Sequence, residues 1–317
     1  MGVLLPRQQN GVPMLNNLGK TLAGFCLVCS CPAALLQPAG IVDHGTIVLI
    51  LHKNDRILVA ADSKLSGGGR DAPRFNECKI PPLGQWVFFT AVGNAEMGDL
   101  KDGKPFVIYK ARELSEESFA RFRKEPNTNS RTKKMADYWG QTVRNQISAY
   151  IAARHWVPTY RTEQGPEVLK GIFASNTPPS NWAIYEVRIS ADRPKSQEVL
   201  QTITYHVDPK SIPPNLKLAL NGEYRGLVGE FVSVQTPRSI AANKKMLTII
   251  QSNPTIDADA FGLEFTVSSV EEWAGPHSDI GGDVDVLELN STGVHWLKVK
   301  EGCRYPKRRG CSRKKTD

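Results

Sequence analysis

From Gly45 onward the chain runs Thr46-Ile-Val-Leu-Ile-Leu51, a polar Lys53-Asn-Asp-Arg56, then Ile57-Leu-Val-Ala-Ala61 and Asp62-Ser-Lys64. Two apolar, β-branched runs around a short polar turn predict an antiparallel hairpin. Neither run alternates with polar residues, so both predicted strands are covered on two faces. The midpoint between Thr46 and Asp62 falls at Asn54, inside the turn, which places these two residues roughly opposite one another, a hydroxyl beside a carboxylate. A second hairpin is predicted after a glycine-rich loop at residues 66–70: a strand at 75–80, a Pro81-Pro-Leu-Gly84 turn, and a strand at 86–92 ending on Gly93-Asn94. Lys79 then lies on a strand beside Ile80, where a lysine either snorkels to water or serves a site.

Farther along, Trp139, Val143, Ile147 and Ile151 recur at i, i+4, predicting an amphipathic helix over 135–152 that packs on a sheet. Strands are predicted at 184–189, 202–205 and 216–220, the last running into Asn221-Gly222. Helices follow near 239–250 and 258–273, and a terminal hairpin at 284–289 and 293–297. The charged stretch from about 99 to 134, with Pro126-Asn-Thr-Asn-Ser130, reads as an insertion made of a short helix and a mobile loop. Strands, helices, strands, helices, strands predict an α+β chain arranged as a four-layer αββα sandwich.

The first forty residues read differently. Residues 1–20 carry only Arg7 and Lys20 as charges, and Lys20 leads into an uncharged, mostly apolar run from Thr21 to Leu36 interrupted by Pro32. That is the pattern of a signal-peptide core, too short to cross a bilayer. The expected organisation is a signal and cleavage region at 1–39, a short propeptide at 40–45, a main domain at 46–297 and a basic tail at 298–317. The start is either Met1 or Met14, and the product is expected to be secreted or periplasmic. After signal removal Cys78, Cys303 and Cys311 remain, too few for a disulfide framework. Cys303 and Cys311 either pair in an oxidising compartment, clamping the tail, or stay free thiols.

The 317 residues carry a net charge of +8, but residues 298–317 concentrate nine Lys and Arg against Glu301 and Asp317. The body is nearly neutral, which argues against a nucleic-acid-binding face. Membrane contact is expected only through the signal peptide or the basic tail. Phosphate-binding glycine loops, His-Glu-x-x-His, Cys-x-x-Cys in the mature region and the nucleophile elbow are all missing from the sequence. Neither a cofactor nor a metal is expected.

Together, His44-Gly45-Thr46, Asp62-Ser63-Lys64, Lys79-Ile80 and Gly93 resemble the N-terminal half of proteasome β-type subunits, members of the N-terminal-nucleophile hydrolase superfamily. The resemblance covers about fifty residues and implies the same sandwich fold. It implies that the Gly45–Thr46 bond is cut autocatalytically, freeing Thr46 as nucleophile with its own α-amine as general base. Lys79 would lower the proton affinity of that amine and hydroxyl, Asp62 would orient the lysine, and Gly93 would offer its N–H to an oxyanion. Where the family carries Asp-x-x-Ser-Gly-Gly, this chain has His277-Ser278-Asp279-Ile280-Gly281-Gly282, so His277 stands at the aspartate, with Ser278 and Asp279 able to supply the polar contacts after a small shift. Asn221 stands where a serine is expected before Gly222. The resemblance implies a threonine-type hydrolase acting on a peptide or small amide. A catalytically inactive scaffold or binding subunit is the alternative. Ring formation or another homo-oligomer is left open, and a surface-binding protein acting through the basic tail is a more distant reading.

Overall fold

The computed structural model describes residues 41–42, 46–53, 55–64, 78–101, 104–154, 157, 159–162, 165–179, 181–192, 201–210, 227–231, 264, 267, 281–299 and 303. The chain divides into two units, Met1–Gln37 and Pro38–Asp317, and all described residues belong to the second. The signal region therefore lies outside the described residues, as do Gly45, Asn221, His277, Ser278, Asp279, Cys311 and the strand expected at 216–220.

The apolar runs at the start form β2 (Thr46–Lys53) and β3 (Arg56–Ala61), preceded by the short β1 (Ile41–Val42). Next come β4 (Pro82–Gly84) and β5 (Val87–Gly93), then the pair β6 (Glu96–Lys101) and β7 (Lys104–Lys110). Two helices follow, α1 (Ala111–Phe122) and α2 (Thr128–Arg154). The chain continues through β8 (Tyr160–Thr162), β9 (Gly165–Thr177), β10 (Asn181–Asp192), β11 (Thr202–Pro209) and β12 (Leu227–Phe231). It closes with the hairpin β13 (Asp285–Asn290) and β14 (Gly293–Lys298).

These strands make three antiparallel sheets: β12-β2-β3-β13-β14, β11-β10-β9-β5-β4 with β8 added on β9, and the small β1-β6-β7. The first two stack face to face. Val48, Ile50, Ile57, Val59, Leu287 and Leu289 from one meet Phe88, Val92, Ile172, Ala174 and Ile184 from the other in one fully or nearly fully buried cluster. Leu49, Leu58 and Ala60, at the alternate positions of β2 and β3, are also fully buried. The unbroken apolar runs are thus covered on both faces, as their pattern predicted.

The opposite face of the six-stranded sheet carries α1 and α2. Trp139, Val143, Ile147 and Ile151 pack there against Phe89, Phe173 and Val187, with Trp139 tilted against Phe89 at 5.3 Å between ring centroids. The indole Nε1 donates to the Ala111 carbonyl at 2.9 Å, tying α2 to the start of α1. No described helix is long and apolar enough to cross a membrane.

Several expectations are corrected. The four-layer αββα sandwich is not what the described residues form: they are predominantly antiparallel strand, and both described helices, α1 and α2, lie on the same face of one sheet. Of the helices expected at 239–250 and 258–273, only Glu264 and Val267 are among the described residues, so the pattern that suggested a fourth layer has no described element to carry it. The stretch 99–134 does hold the expected short helix, α1, but what surrounds it is mostly regular structure: the end of β6, all of β7 and about the first two turns of α2, whose Ser130 N–H is capped by the Asn127 side chain at 2.8 Å. The expected turn at 81–84 is strand β4, followed by a turn at Gln85-Trp86, and Lys79 sits in a bend ahead of β4 rather than on a strand. The β2–β3 register pairs Val48 with Ala61 and Lys53 with Arg56. With Lys53 opposite Arg56, the pairing is shifted by one residue from the expected alignment of Thr46 with Asp62.

Candidate functional site

The site is assembled where β3 ends, between the two stacked sheets. Asp62 follows Ala61, the last residue of β3, and is fully buried. Lys79 is 7% exposed, and its Nζ lies 3.0 Å from each carboxylate oxygen of Asp62. Two opposite charges withdrawn from water need close geometry and further hydrogen bonds to offset their desolvation. One such bond comes from the far end of the chain: the Gly281 N–H donates to Asp62 Oδ2 at 3.1 Å. The Gly281 carbonyl in turn accepts from the backbone N–H groups of Ser63 at 3.0 Å and Lys64 at 2.6 Å. Gly282 has φ +86°, a left-handed conformation open to glycine, so the Gly281-Gly282 pair lets the chain turn tightly against residues 62–64 before β13 begins.

Lys79 reaches this position because β4 and β5 pair antiparallel, with Pro82 opposite Phe88 and the Phe89 N–H bonded to the Pro81 carbonyl at 3.1 Å. That pairing carries the preceding bend back along β5 toward Ala91, two residues before Gly93. Gly93 ends β5 opposite Leu169 with φ +100°. The next residue, Asn94, is fully buried; its N–H donates to Val168 at 3.1 Å and its carbonyl accepts from the Tyr109 hydroxyl at 2.6 Å. Burial pushes the Tyr109 phenol far above the ordinary tyrosine range, so it stays a neutral donor.

Thr46 is the first residue of β2, and its backbone pairs with Phe231 of β12. It lies two residues before Val48, the partner of Ala61, so its backbone is at the same end of the sheet as Asp62. Of the sequence-derived candidates, Asp62 and Lys79 are in direct contact, Gly93 is on the strand beside Lys79, and Thr46 begins the strand beside β3. Gly45, Asn221, His277, Ser278 and Asp279 lie outside the described residues.

A cavity of about 350 Å³ opens beside Lys79. Cys78, Lys79, Ala91 and Ala95 line it together with Lys110, the last residue of β7, and residues of α1; Lys110 pairs with Glu113 at 3.1 Å and Arg112 with Glu116 at 3.0 Å. The alanines leave the space that larger side chains would fill.

Cys78, next to Lys79, is bonded to Cys303 across 225 residues of sequence. The expected choice between a Cys303–Cys311 bond and two free thiols is corrected: Cys303 pairs with Cys78, which the fold brings beside it. Cys303 Sγ also lies 3.1 Å from Oδ2 of the fully buried Asp285. Cys78, Asp285 and Cys303 form a candidate metal-ligand set among the described residues, their ligand atoms all within 4.8 Å of one another. Joined to each other, the two sulfurs have no thiolate to offer a metal.

Sequence reasoning missed Tyr109 and the partner of Cys303, which left no local signal; it noted Gly281 only as one of the two glycines of the 277–282 element and not as the donor to Asp62. No protein-family model matches the chain, and no curated protein matches it.

Proposed function

We propose that this chain is an exported threonine-type hydrolase that cuts an amide or peptide bond through Thr46 after self-cleavage at Gly45. The observation that carries the reading is the buried Lys79–Asp62 pair, supported by Gly281 and bordering a cavity. A buried ion pair returns little net stability, which favours a chemical role for the lysine.

In the proposed reaction the Thr46 hydroxyl attacks the substrate carbonyl carbon while its proton passes to the α-amine of the same residue. An α-amine with an ordinary pKa near 8 suits that task at neutral pH. The positive charge of Lys79 keeps the amine ready to accept and favours the developing alkoxide, and Asp62 holds Lys79 in place. The Gly93 N–H is the proposed donor to the oxyanion, a contribution worth about 10²–10³ in rate in comparable sites. Collapse of the tetrahedral intermediate breaks the C–N bond, the amine leaves with the proton, and water then hydrolyses the threonyl ester by the same route.

N-terminal sequencing and intact mass of the purified protein test this directly. The expected chain begins at Thr46, and Thr46→Ala is expected to remain unprocessed and inactive on amides. A wild-type chain that keeps residues upstream of Gly45 overturns the reading and leaves the non-catalytic scaffold in its place.

A further inference from the structure

The Cys78–Cys303 bond has no part in the proposed chemistry, yet it adjoins the site on two sides. Cys78 directly precedes Lys79 and lines the same cavity. Cys303 touches Asp285, and Asp285 pairs across the sheet with Ala61, the residue before Asp62. The bond therefore joins the segment that carries Lys79 to the end of the chain, over the strand that supports Asp62.

The surroundings of the bond favour its opening. A disulfide sulfur bears no proton to donate, so the 3.1 Å approach of Cys303 Sγ to Asp285 Oδ2 gains no S–H hydrogen bond while the bond is closed. As a thiol, Cys303 would donate its S–H to that same oxygen. A neighbour that stabilises the dithiol raises the reduction potential and moves a disulfide toward the labile, exchangeable class. Exchange also needs a path for an attacking thiolate. Both cysteines are nearly buried, at 8% and 4% exposure, but the cavity reaches Cys78.

We propose that Cys78–Cys303 is a reversible thiol-exchange site entered through the cavity, and that opening it lowers turnover at the adjacent Lys79. A thiolate of a small dithiol attacks Sγ of Cys78, and the electron pair of the S–S bond leaves with Cys303, which takes up a proton. The second thiolate of the reductant then displaces Cys78 from the mixed disulfide, and Cys78 is protonated in turn. Two electrons and two protons pass from the dithiol, which becomes a cyclic disulfide. Freed from its anchor, the 78–79 segment holds Lys79 less firmly against Asp62. The exchange chemistry stands without the hydrolase reading; the effect on turnover rests on it.

The test uses the full chain purified without reductant, incubated under native conditions with dithiothreitol, quenched with iodoacetamide and mapped by peptide mass. The Cys78–Cys303 cross-link is expected at the outset, with both residues alkylated after reduction. Asp285→Asn, which keeps size but replaces the carboxyl that would accept from the Cys303 thiol with an amide, is expected to shift the equilibrium in a glutathione buffer about ten-fold toward the disulfide. Ala95→Leu, which narrows the cavity, is expected to slow native reduction several-fold and leave the rate in denaturant unchanged, so the route is tested even where Asp285→Asn does not fold. Alkylated Cys78 in untreated protein, or a cross-link that resists dithiothreitol until denaturant is added, overturns the exchange site. Amide turnover equal before and after reduction overturns the regulatory part. Normal exchange with no amide turnover in either form leaves the exchange site standing and counts against the hydrolase reading alone.

Discussion

Lys79 places its ammonium 3.0 Å from both carboxylate oxygens of Asp62, seventeen residues earlier in the chain, and both side chains are withdrawn from water. The pair is where the two stacked sheets, the bend before β4 and the Gly281 turn all meet. Its removal tests structure and chemistry separately.

Asp62→Asn leaves the Lys79 ammonium buried without its carboxylate partner, and a loss of about 3–5 kcal/mol is expected from urea unfolding. Combining it with Lys79→Met removes the stranded charge and is expected to recover most of that stability. Turnover of an amide substrate is expected to stay absent in both variants, which separates a folding defect from a chemical one.

Gly93→Ala forces a β-carbon onto a residue with φ +100° at the end of β5. A destabilisation of about 1–3 kcal/mol is expected by chemical unfolding. Under the proposed mechanism kcat also falls, because the backbone around the oxyanion donor shifts; a variant with full kcat would remove Gly93 from that role.

Tyr109→Phe removes the hydroxyl that donates to the Asn94 carbonyl at 2.6 Å, and about 1–3 kcal/mol of stability is expected to go with it. The same residue gives an alkaline signature. With its phenol raised by burial, the folded protein keeps a proton that the unfolded chain releases near pH 10. This contribution is complete below about pH 10 and declines as pH rises beyond it. Urea midpoints measured at pH 9 and pH 11 are expected to fall less steeply for the variant than for the wild type.

Gly171→Ala places a β-carbon 2.7 Å from two ring atoms of Trp139, which is wedged between β9 and α2 and anchored by its bond to Ala111. Overpacking is expected to lower stability by about 1–3 kcal/mol and to shift the tryptophan fluorescence. An unchanged urea midpoint would mean that the ring gives way without resistance.

Legibility in the sequence followed local pattern. The terminal hairpin expected at 284–289 and 293–297 is β13 and β14 within one residue, and the Trp139, Val143, Ile147, Ile151 stripe is buried as its spacing predicted. The central strand β9 was not legible. Its run Gly165–Thr177 is interrupted by Lys170 and Gly171, and Gly171 makes sense only beside the Trp139 ring that occupies the space of its missing side chain. Likewise β6 and β7 read as a charged insertion because burial does not follow polarity there: Asp99 is buried while Phe106 and Val107 are exposed.

By itself the sequence determined the apolar β2–β3 hairpin and its burial on both faces, because uninterrupted β-branched runs have no solvated side. It also picked out Asp62, Lys79 and Gly93 as residues of interest. Tertiary structure alone decided the one-residue register, which depends on turn length, and the sheet face that receives both α1 and α2. It alone decided that Lys79 meets Asp62 over Gly281 and that Cys303 bonds to Cys78. Those contacts join residues up to 225 positions apart, and proximity at that separation is a property of how layers stack, which no local pattern encodes.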